Sequence, residues 1–278
     1  MSVPAIPLND GTHLPAIGFG TCKLNGSPGA QAIARAIDNG YRLLDSAFSY
    51  ENEGAVAQAM RMASVPREAL RFTSKIPGRH YAYNDALACI EESRYRTRLD
   101  TIDLYLLHWP NPAQGLYLEA WSALVEAKER GWVTSIGVCN FLPEHVQALV
   151  DASGVKPCVN QIELHPYFPQ PEQLAWDKAN GIVTQAWSPI GRGNDLQSDP
   201  VLQGIARQHG RSVVQVILRW HVQLGSVPLP KASSDQRQRD NLDVFDFELS
   251  TQDMAAIATL ARPDGRILGQ DPAHYQEL

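Results

Sequence analysis

Apolar positions along the chain follow two alternating rhythms. Short, nearly continuous apolar runs are each followed by about ten residues in which apolar positions recur every three or four. The runs are AIGFGT (16–21), RLLDSA (42–47), LRFTSK (70–75), IDLYLLH (102–108), VTSIGVCN (133–140), CVNQIEL (158–164), IVTQAW (182–187) and SVPLPK (226–231). Helical periodicity covers 28–39, 53–62, 84–96, 118–130, 143–151, 171–179, 213–224 and 234–242. Gly40, Gly131, Gly154, Gly181 and Gly225 stand at the ends of several of these stretches, and Pro or Asn at the starts, the asymmetry expected of helix caps. Ahead of the first run, two short apolar stretches flank Asn9-Asp10-Gly11, a hairpin signal.

Strands that are apolar throughout are buried on both faces, as in a parallel sheet. Eight strand–helix units at roughly 35 residues each have the size of βα repeats. The pattern predicts an α/β fold: a single (β/α)8 TIM barrel over residues 1–278, with an N-terminal β-hairpin and a short C-terminal tail. Chemistry in such a barrel sits on the loops after the strands. A doubly wound open sheet would want G-x-G-x-x-G after its first strand; GFGTCK supplies only G-x-G.

Composition narrows the function. The chain has 278 residues, 44% of them apolar, and a net charge of −6 without blocks of one sign. That leaves no basic face for nucleic acid and no polybasic membrane anchor. The start lacks a charged, then apolar, leader pattern, and no apolar stretch approaches membrane-spanning length, so a cytoplasmic protein is expected. Cys22, Cys89, Cys139 and Cys158 are far apart, with no C-x-x-C pair, and are expected as reduced thiols. A metal-hydrolase barrel would want His-x-His near the first strand, and none is present.

The stretch LLDSAFSYENEGA (43–55) puts Asp45 at a strand end and Tyr50 five residues later. Lys75 ends the third strand and His108 the fourth. Taken singly, each has an ordinary explanation: a helix cap, loop packing, a solvated lysine, a turn histidine. Together they stand at neighbouring strand ends on one rim. An Asp and a Lys inside apolar strands need each other. A lysine ammonium near a phenol favours the phenolate, and the Asp would hold that lysine charged and fixed. His108 can orient a carbonyl oxygen by a hydrogen bond. The set suits proton donation from Tyr50 to a carbonyl oxygen as a hydride reaches the carbon.

These residues carry a family resemblance. GYRLLDSAFSYENE, the SK at Lys75, DLYLLHWP, IGVCNF, VNQIELHPY and PLPKASSDQRQRDN resemble the aldo-keto reductases, in particular the bacterial 2,5-diketo-D-gluconate reductase type, in family order over nearly the whole chain. The resemblance implies a barrel that binds NADPH without a Rossmann fold and reduces small aldehydes and ketones, α-dicarbonyls or keto sugars among them. It implies Asp45, Tyr50, Lys75 and His108 as the catalytic tetrad, a small carbonyl substrate as partner, and a monomer. For the cofactor it implies Thr21, Cys139, Asn140, Gln161 and Trp187, then Ser188, Ile190 and Gly191 of SPIGRG over the pyrophosphate. Lys231, Ser233, Ser234 and Arg237 follow at an anion site for the 2′-phosphate, with Asp240 and Asn241 toward adenine or ribose. The face of Trp187 suits stacking on a nicotinamide. Three positions depart from the family: Cys139 and Ala232 stand where Ser is usual, and Pro77 where an aromatic is common. Trp109, with Cys22, Phe48 and Pro77, is expected to line the substrate pocket, and the short loop WPNPAQGLY, the moderate loop SPIGRGNDLQSDP and the short tail RPDGRILGQDPAHYQEL suggest an open one. His80, His165 and Trp176 are read as structural. A cofactor-binding sensor on the same barrel, with negligible turnover, is the alternative; a complete tetrad weighs against it.

Overall fold

The computed structural model describes residues 3–193 and 195–277. The chain opens with an antiparallel hairpin, β1 (Ala5–Pro7) and β2 (His13–Pro15), in register Ile6 to Leu14. Its turn closes with Leu8 N–H donating to Thr12 C=O at 2.8 Å, and Gly11 takes φ +86°, where a side chain would be strained. Alternation then begins: β3 (Phe19–Gly20), α1 (Gly26–Asn39), β4 (Leu43–Asp45), α2 (Glu53–Met62), β5 (Arg71–Ile76), α3 (Tyr83–Thr97), β6 (Ile102–Leu107) and α4 (Tyr117–Glu129). It continues through β7 (Val133–Cys139), α5 (Pro143–Ser153), β8 (Val159–Glu163), α6 (Pro171–Ala179) and β9 (Val183–Trp187). Two helices, α7 (Pro200–His209) and α8 (Val213–Leu224), precede β10 (Val227–Pro228), and α9 (Asp235–Leu242) and α10 (Thr251–Ala258) follow it.

Strands β3 to β10 form one parallel sheet in sequence order. Backbone bonds close it into a ring: Gly18 N–H to Pro228 C=O at 3.0 Å and Gly20 N–H to Pro230 C=O at 3.1 Å. This is the (β/α)8 barrel, with the eight strands where the apolar runs predicted them. Leu43, Leu104, Leu106, Val159 and Leu229 fill the interior, and Leu8 and Leu14 of the hairpin plug its floor. Gly137 lets neighbouring strands crowd inside: a Cβ there would lie 2.6 Å from Val159 O and 2.8 Å from Leu106 Cδ2. A second apolar layer, including Ile33, Phe72, Ile90 and Leu124, packs the helices onto the outside of the strands.

At the floor, Asp10 gathers Thr12 Oγ1 at 2.7 Å, Ser135 Oγ at 2.8 Å and Lys128 Nζ at 3.1 Å. Burial alone would raise this carboxyl's pKa, but the Thr12 and Ser135 hydrogen bonds win and hold it well below the usual carboxylate range. Among the described residues, no helix is long and apolar enough to cross a membrane.

Helices α7 and α10 lie outside the predicted set. Both are short, and their evidence is in caps rather than periodicity. Asp199 accepts from Val201 N–H and Leu202 N–H ahead of Pro200 at the first turn. Ser250 and Asp253 form a reciprocal capping box that starts α10.

Candidate active site

All eight barrel strands point their C-termini to one rim, so Asp45, Lys75, Cys139 and Trp187 meet there from β4, β5, β7 and β9. A cleft of about 470 Å³ opens at this rim, lined by Thr21, Asp45, Tyr50, His108, Trp109 and Cys139 among others.

Lys75 is fully buried. Its ammonium donates to both Asp45 carboxylate oxygens, at 2.9 and 2.8 Å, and to Ser46 C=O at 2.5 Å, which uses all three protons. Burial disfavours this charge, yet the Asp45 carboxylate more than offsets it and holds the lysine pKa above its ordinary value. Gln161 completes the shell of Asp45: one N–H goes to Asp45 Oδ1 at 2.8 Å and the other to Gln185 Oε1 at 3.0 Å. The Gln161 donors are thereby turned inward, and its carbonyl is the group left for a ligand.

Tyr50 ends a short 3-10 turn, Phe48–Tyr50, whose ring stands 5.2 Å from the Lys75 ammonium and 6.1 Å from the His108 ring. Asn52 pins this turn: Ser46 Oγ donates to its Oδ1 at 2.6 Å, and its amide donates to Thr21 C=O at 2.7 Å. Among the described residues the phenol oxygen makes no hydrogen bond. The expected net lowering of the phenol's pKa is corrected by the geometry. Burial dominates and raises it well above the ordinary value; the Lys75 charge pulls it down and Asp45 pushes it up. With its protons committed to Asp45 and Ser46, Lys75 acts on Tyr50 through space. Tyr50 is therefore firmly protonated at neutral pH, which is the state a proton donor needs.

His108 follows β6 on a loop that Tyr81 fixes. The Tyr81 hydroxyl donates to Trp109 C=O at 2.5 Å and accepts from Trp109 N–H at 3.2 Å. Asn140 takes φ +61°, a left-handed conformation that Asn tolerates better than most residues. From there its amide donates to His108 C=O at 3.0 Å and accepts from the Trp187 indole at 2.7 Å. One side chain ties the histidine loop to the tryptophan face. Burial pushes the Cys139 thiol's pKa well up, with Lys75 pulling the other way, so it stands neutral beneath the cleft.

The cleft wall also takes in Cys22, Ser188, Ile190 and Lys231. Ser188 (φ +49°) and Arg192 (φ +49°) bend the strand-end segment back over the rim, with buried Gly191 between them at φ +74°. Phe48 and Pro77 lie outside the cleft. Phe48 is packed under the Arg96 guanidinium, 3.9 Å from its ring centre, and Pro77 starts the turn Gly78–His80. Ser233, Ser234, Arg237, Asp240 and Asn241 also lie beyond the cleft wall, on and before α9. Ser234 caps that helix and accepts from Arg237 Nε at 3.0 Å; Asp240 accepts from Gln236 at 2.7 Å; Asn241 is buried. His165 is buried against Glu163 at 3.0 Å, a structural pairing as expected.

Sequence reasoning missed Arg192, Gln270 and Tyr275. Arg192 lines the cleft with Lys231, and neither is in an ion pair with another described residue. Gln270 reaches the cleft from the tail, and Tyr275 packs 4.5 Å from the Trp109 ring. Arg192 was legible as a cation between two glycines. The tail residues carry no periodicity that would have marked them.

A sequence model described as the Aldo/keto reductase family matches residues 16–262. The chain belongs to this family. It is 47% identical to the 2,5-diketo-D-gluconic acid reductase B of a Corynebacterium species, over 100% of this chain and 99% of that protein. Among solved structures of the family, a substituted form of Gox0644 in complex with NADPH superposes with a TM-score of 0.94 at 39% identity, covering 99% of this chain and 100% of that one. The Bombyx mori aldo-keto reductase in complex with NADP superposes with a TM-score of 0.90 at 33% identity, covering 100% of this chain and 99% of that one.

Proposed function

We propose that the chain is an NADPH-dependent reductase of small aldehydes and ketones, α-dicarbonyls and keto sugars among them. The observation that carries this reading is the buried Lys75–Asp45 pair set beneath Tyr50, with His108 beside the phenol at the mouth of one cleft.

The residues present fit the cofactor. Trp187 offers an indole whose N–H is already held by Asn140, and Gln161 offers a carbonyl acceptor for a carboxamide. Arg192 and Lys231 place two cations along the same wall. Beyond the wall, Ser233, Ser234 and Arg237 at the start of α9 extend a site suited to a further phosphate, and Asp240 and Asn241 lie on the same helix. The complexes of relatives with NADPH and NADP support the assignment. When bound, the reduced nicotinamide supplies the hydride.

The chain's own residues do the rest. Tyr50 gives its hydroxyl proton to the carbonyl oxygen as the carbon is reduced. The buried Lys75 charge favours the phenolate that remains, and Asp45 keeps that charge in place. His108 orients the same oxygen from the side. Trp109 forms the apolar wall against which the substrate carbon chain rests, with Cys22 beside it. We take the working unit to be a monomer, as the family resemblance implies.

The test mixes purified protein, NADPH and a panel of aldehydes, α-dicarbonyls and keto sugar acids, and follows the loss of reduced-nicotinamide absorbance. Turnover that disappears in Tyr50→Phe is the expected result. Turnover that survives that substitution unchanged, or none with any carbonyl of the panel, would refute the reading.

A further inference from the structure

The tail after α10 runs back across the rim and delivers a carboxylate to the catalytic histidine. Glu277 Oε1 lies 2.7 Å from His108 Nδ1, with both side chains largely buried. Its backbone is held at two points by Asn111: the Asn111 amide donates to Glu277 C=O at 2.7 Å, and Glu277 N–H donates to Asn111 Oδ1 at 2.9 Å. Its second carboxylate oxygen accepts from Gly78 N–H at 3.2 Å. Asn111 is itself fully buried and sits at φ +46°. Gly78 leaves the room: a Cβ there would lie 1.7 Å from Asn111 Nδ2 and 2.8 Å from Glu277 O. The carboxylate is therefore located by contacts that do not involve His108. The approach is close but not aligned as a hydrogen bond: among the described residues His108 Nδ1 has no hydrogen-bond partner, and the Glu277 carboxylate is a charged group lying against it.

On the reading of the site as a carbonyl reductase, we infer that Glu277 is a positioning residue for His108. Its carboxylate, packed against Nδ1, sets which edge of the ring faces the tail, and this leaves Nε2, on the other edge, as the nitrogen for the substrate oxygen. A carbonyl oxygen is an acceptor, so Nε2 serves it as a donor when the ring carries both protons. The Glu277 carboxylate is the counter-charge of that form. Nothing in the pattern of the tail sequence announces this role; it comes from the path of the chain.

The experiment uses the full chain with Glu277→Gln, Glu277→Ala and Glu277→Asp. Turnover is measured with NADPH and an aromatic α-oxoaldehyde, NADPH affinity by fluorescence quenching, and the ring nitrogens by nitrogen-15 histidine spectra. The His108 signals are assigned by their loss in His108→Gln. Expected is a kcat lower by roughly ten- to hundredfold in Glu277→Gln and Glu277→Ala, the range for losing a charged partner beside a largely buried ring. NADPH affinity stays within about twofold, and Glu277→Asp recovers part of the rate. The His108 nitrogen signals shift in the Ala variant. Unchanged kcat in both variants, or His108 spectra that do not respond to Glu277→Ala, would overturn the proposal. Should the wild-type chain turn over no carbonyl, the reductase reading fails by itself, while the spectra still decide whether Glu277 acts on the ring.

Discussion

Replacing Asp45 with Asn changes one atom and removes one buried charge. The Lys75 ammonium is fully buried, and two of its three hydrogen bonds end on Asp45. In Asp45→Asn it would keep the Ser46 carbonyl and one amide oxygen, with no counter-ion. Breaking a buried pair by neutralising one partner costs about 3–5 kcal/mol, against a total stability of about 5–15 kcal/mol for a typical domain. Released from the carboxylate, the lysine yields to burial and loses its proton, and Tyr50 then loses the cation that draws down its pKa. Each unit of that pull is ~1.4 kcal/mol, so kcat should fall at least about tenfold. Urea unfolding gives the first quantity, and single-turnover kinetics with saturating NADPH the second. A companion, Asp45→Asn with Lys75→Met, removes the stranded charge; it should recover much of the lost stability and none of the activity. The reasoning fails if Asp45→Asn unfolds within ~0.5 kcal/mol of wild type and turns over within a factor of two, or if the double variant is active.

Tyr50→Phe should lower kcat by roughly 10²–10⁴-fold, the usual range for a lost general acid, while NADPH affinity measured by fluorescence holds. Lys231→Ala and Arg237→Ala should each weaken NADPH more than NADH in titrations; equal losses for the two cofactors would remove the phosphate role. Gly78→Ala should push Asn111 off Glu277, destabilising by about 1–3 kcal/mol and lowering turnover together, read by thermal melts and kinetics. Acid stability should follow His221, which is buried, held by Ser226 and the Pro189 carbonyl, and lowered by burial from 6.5 to about 3. Between those values the unfolded chain binds the proton and the folded one does not. Stability therefore falls as pH drops through that window, by up to ~1.4 kcal/mol per pH unit. Asp177 opposes this: burial raises its pKa from 3.8 to about 6, so the folded chain holds the extra proton there and gains as pH falls from 6 to 4. The two nearly cancel in wild type between pH 6 and 4, so the urea midpoint of His221→Gln should rise relative to wild type as pH falls through that window.

Much of the architecture is readable in the amino-acid sequence. A strand buried on both faces must be apolar throughout, so β4 to β9 stand out as unbroken runs. Long amphipathic helices were equally plain; α2, α6 and α8 begin and end where the periodicity places them. Helices α7 and α10 were hidden because a short helix has too few turns to establish a period. Asp45, Tyr50, Lys75 and His108 can be grouped from sequence because barrel topology makes neighbours of three successive strand ends, Asp45 and Tyr50 sharing the first. What could not be read was direction and path. Asn241 and Phe48 are of the right type and at the right spacing, but both are buried away from the cleft. Gln270, Tyr275 and Glu277 belong to a segment without regular structure, whose course is set by contacts with Asn111, Gly78 and Trp109 far away in sequence.

The hairpin that stoppers the barrel has a practical implication. Ser135, which reaches the Asp10 cluster, and Cys139, which floors the cleft, lie on one strand, about 13 Å apart at the rise of a β-strand. Substitutions separated by more than ~10 Å with no shared partner combine nearly additively. Heat tolerance could thus be evolved at the stoppered end and appetite for new carbonyls at the open one, in parallel libraries whose winners are joined in a single gene.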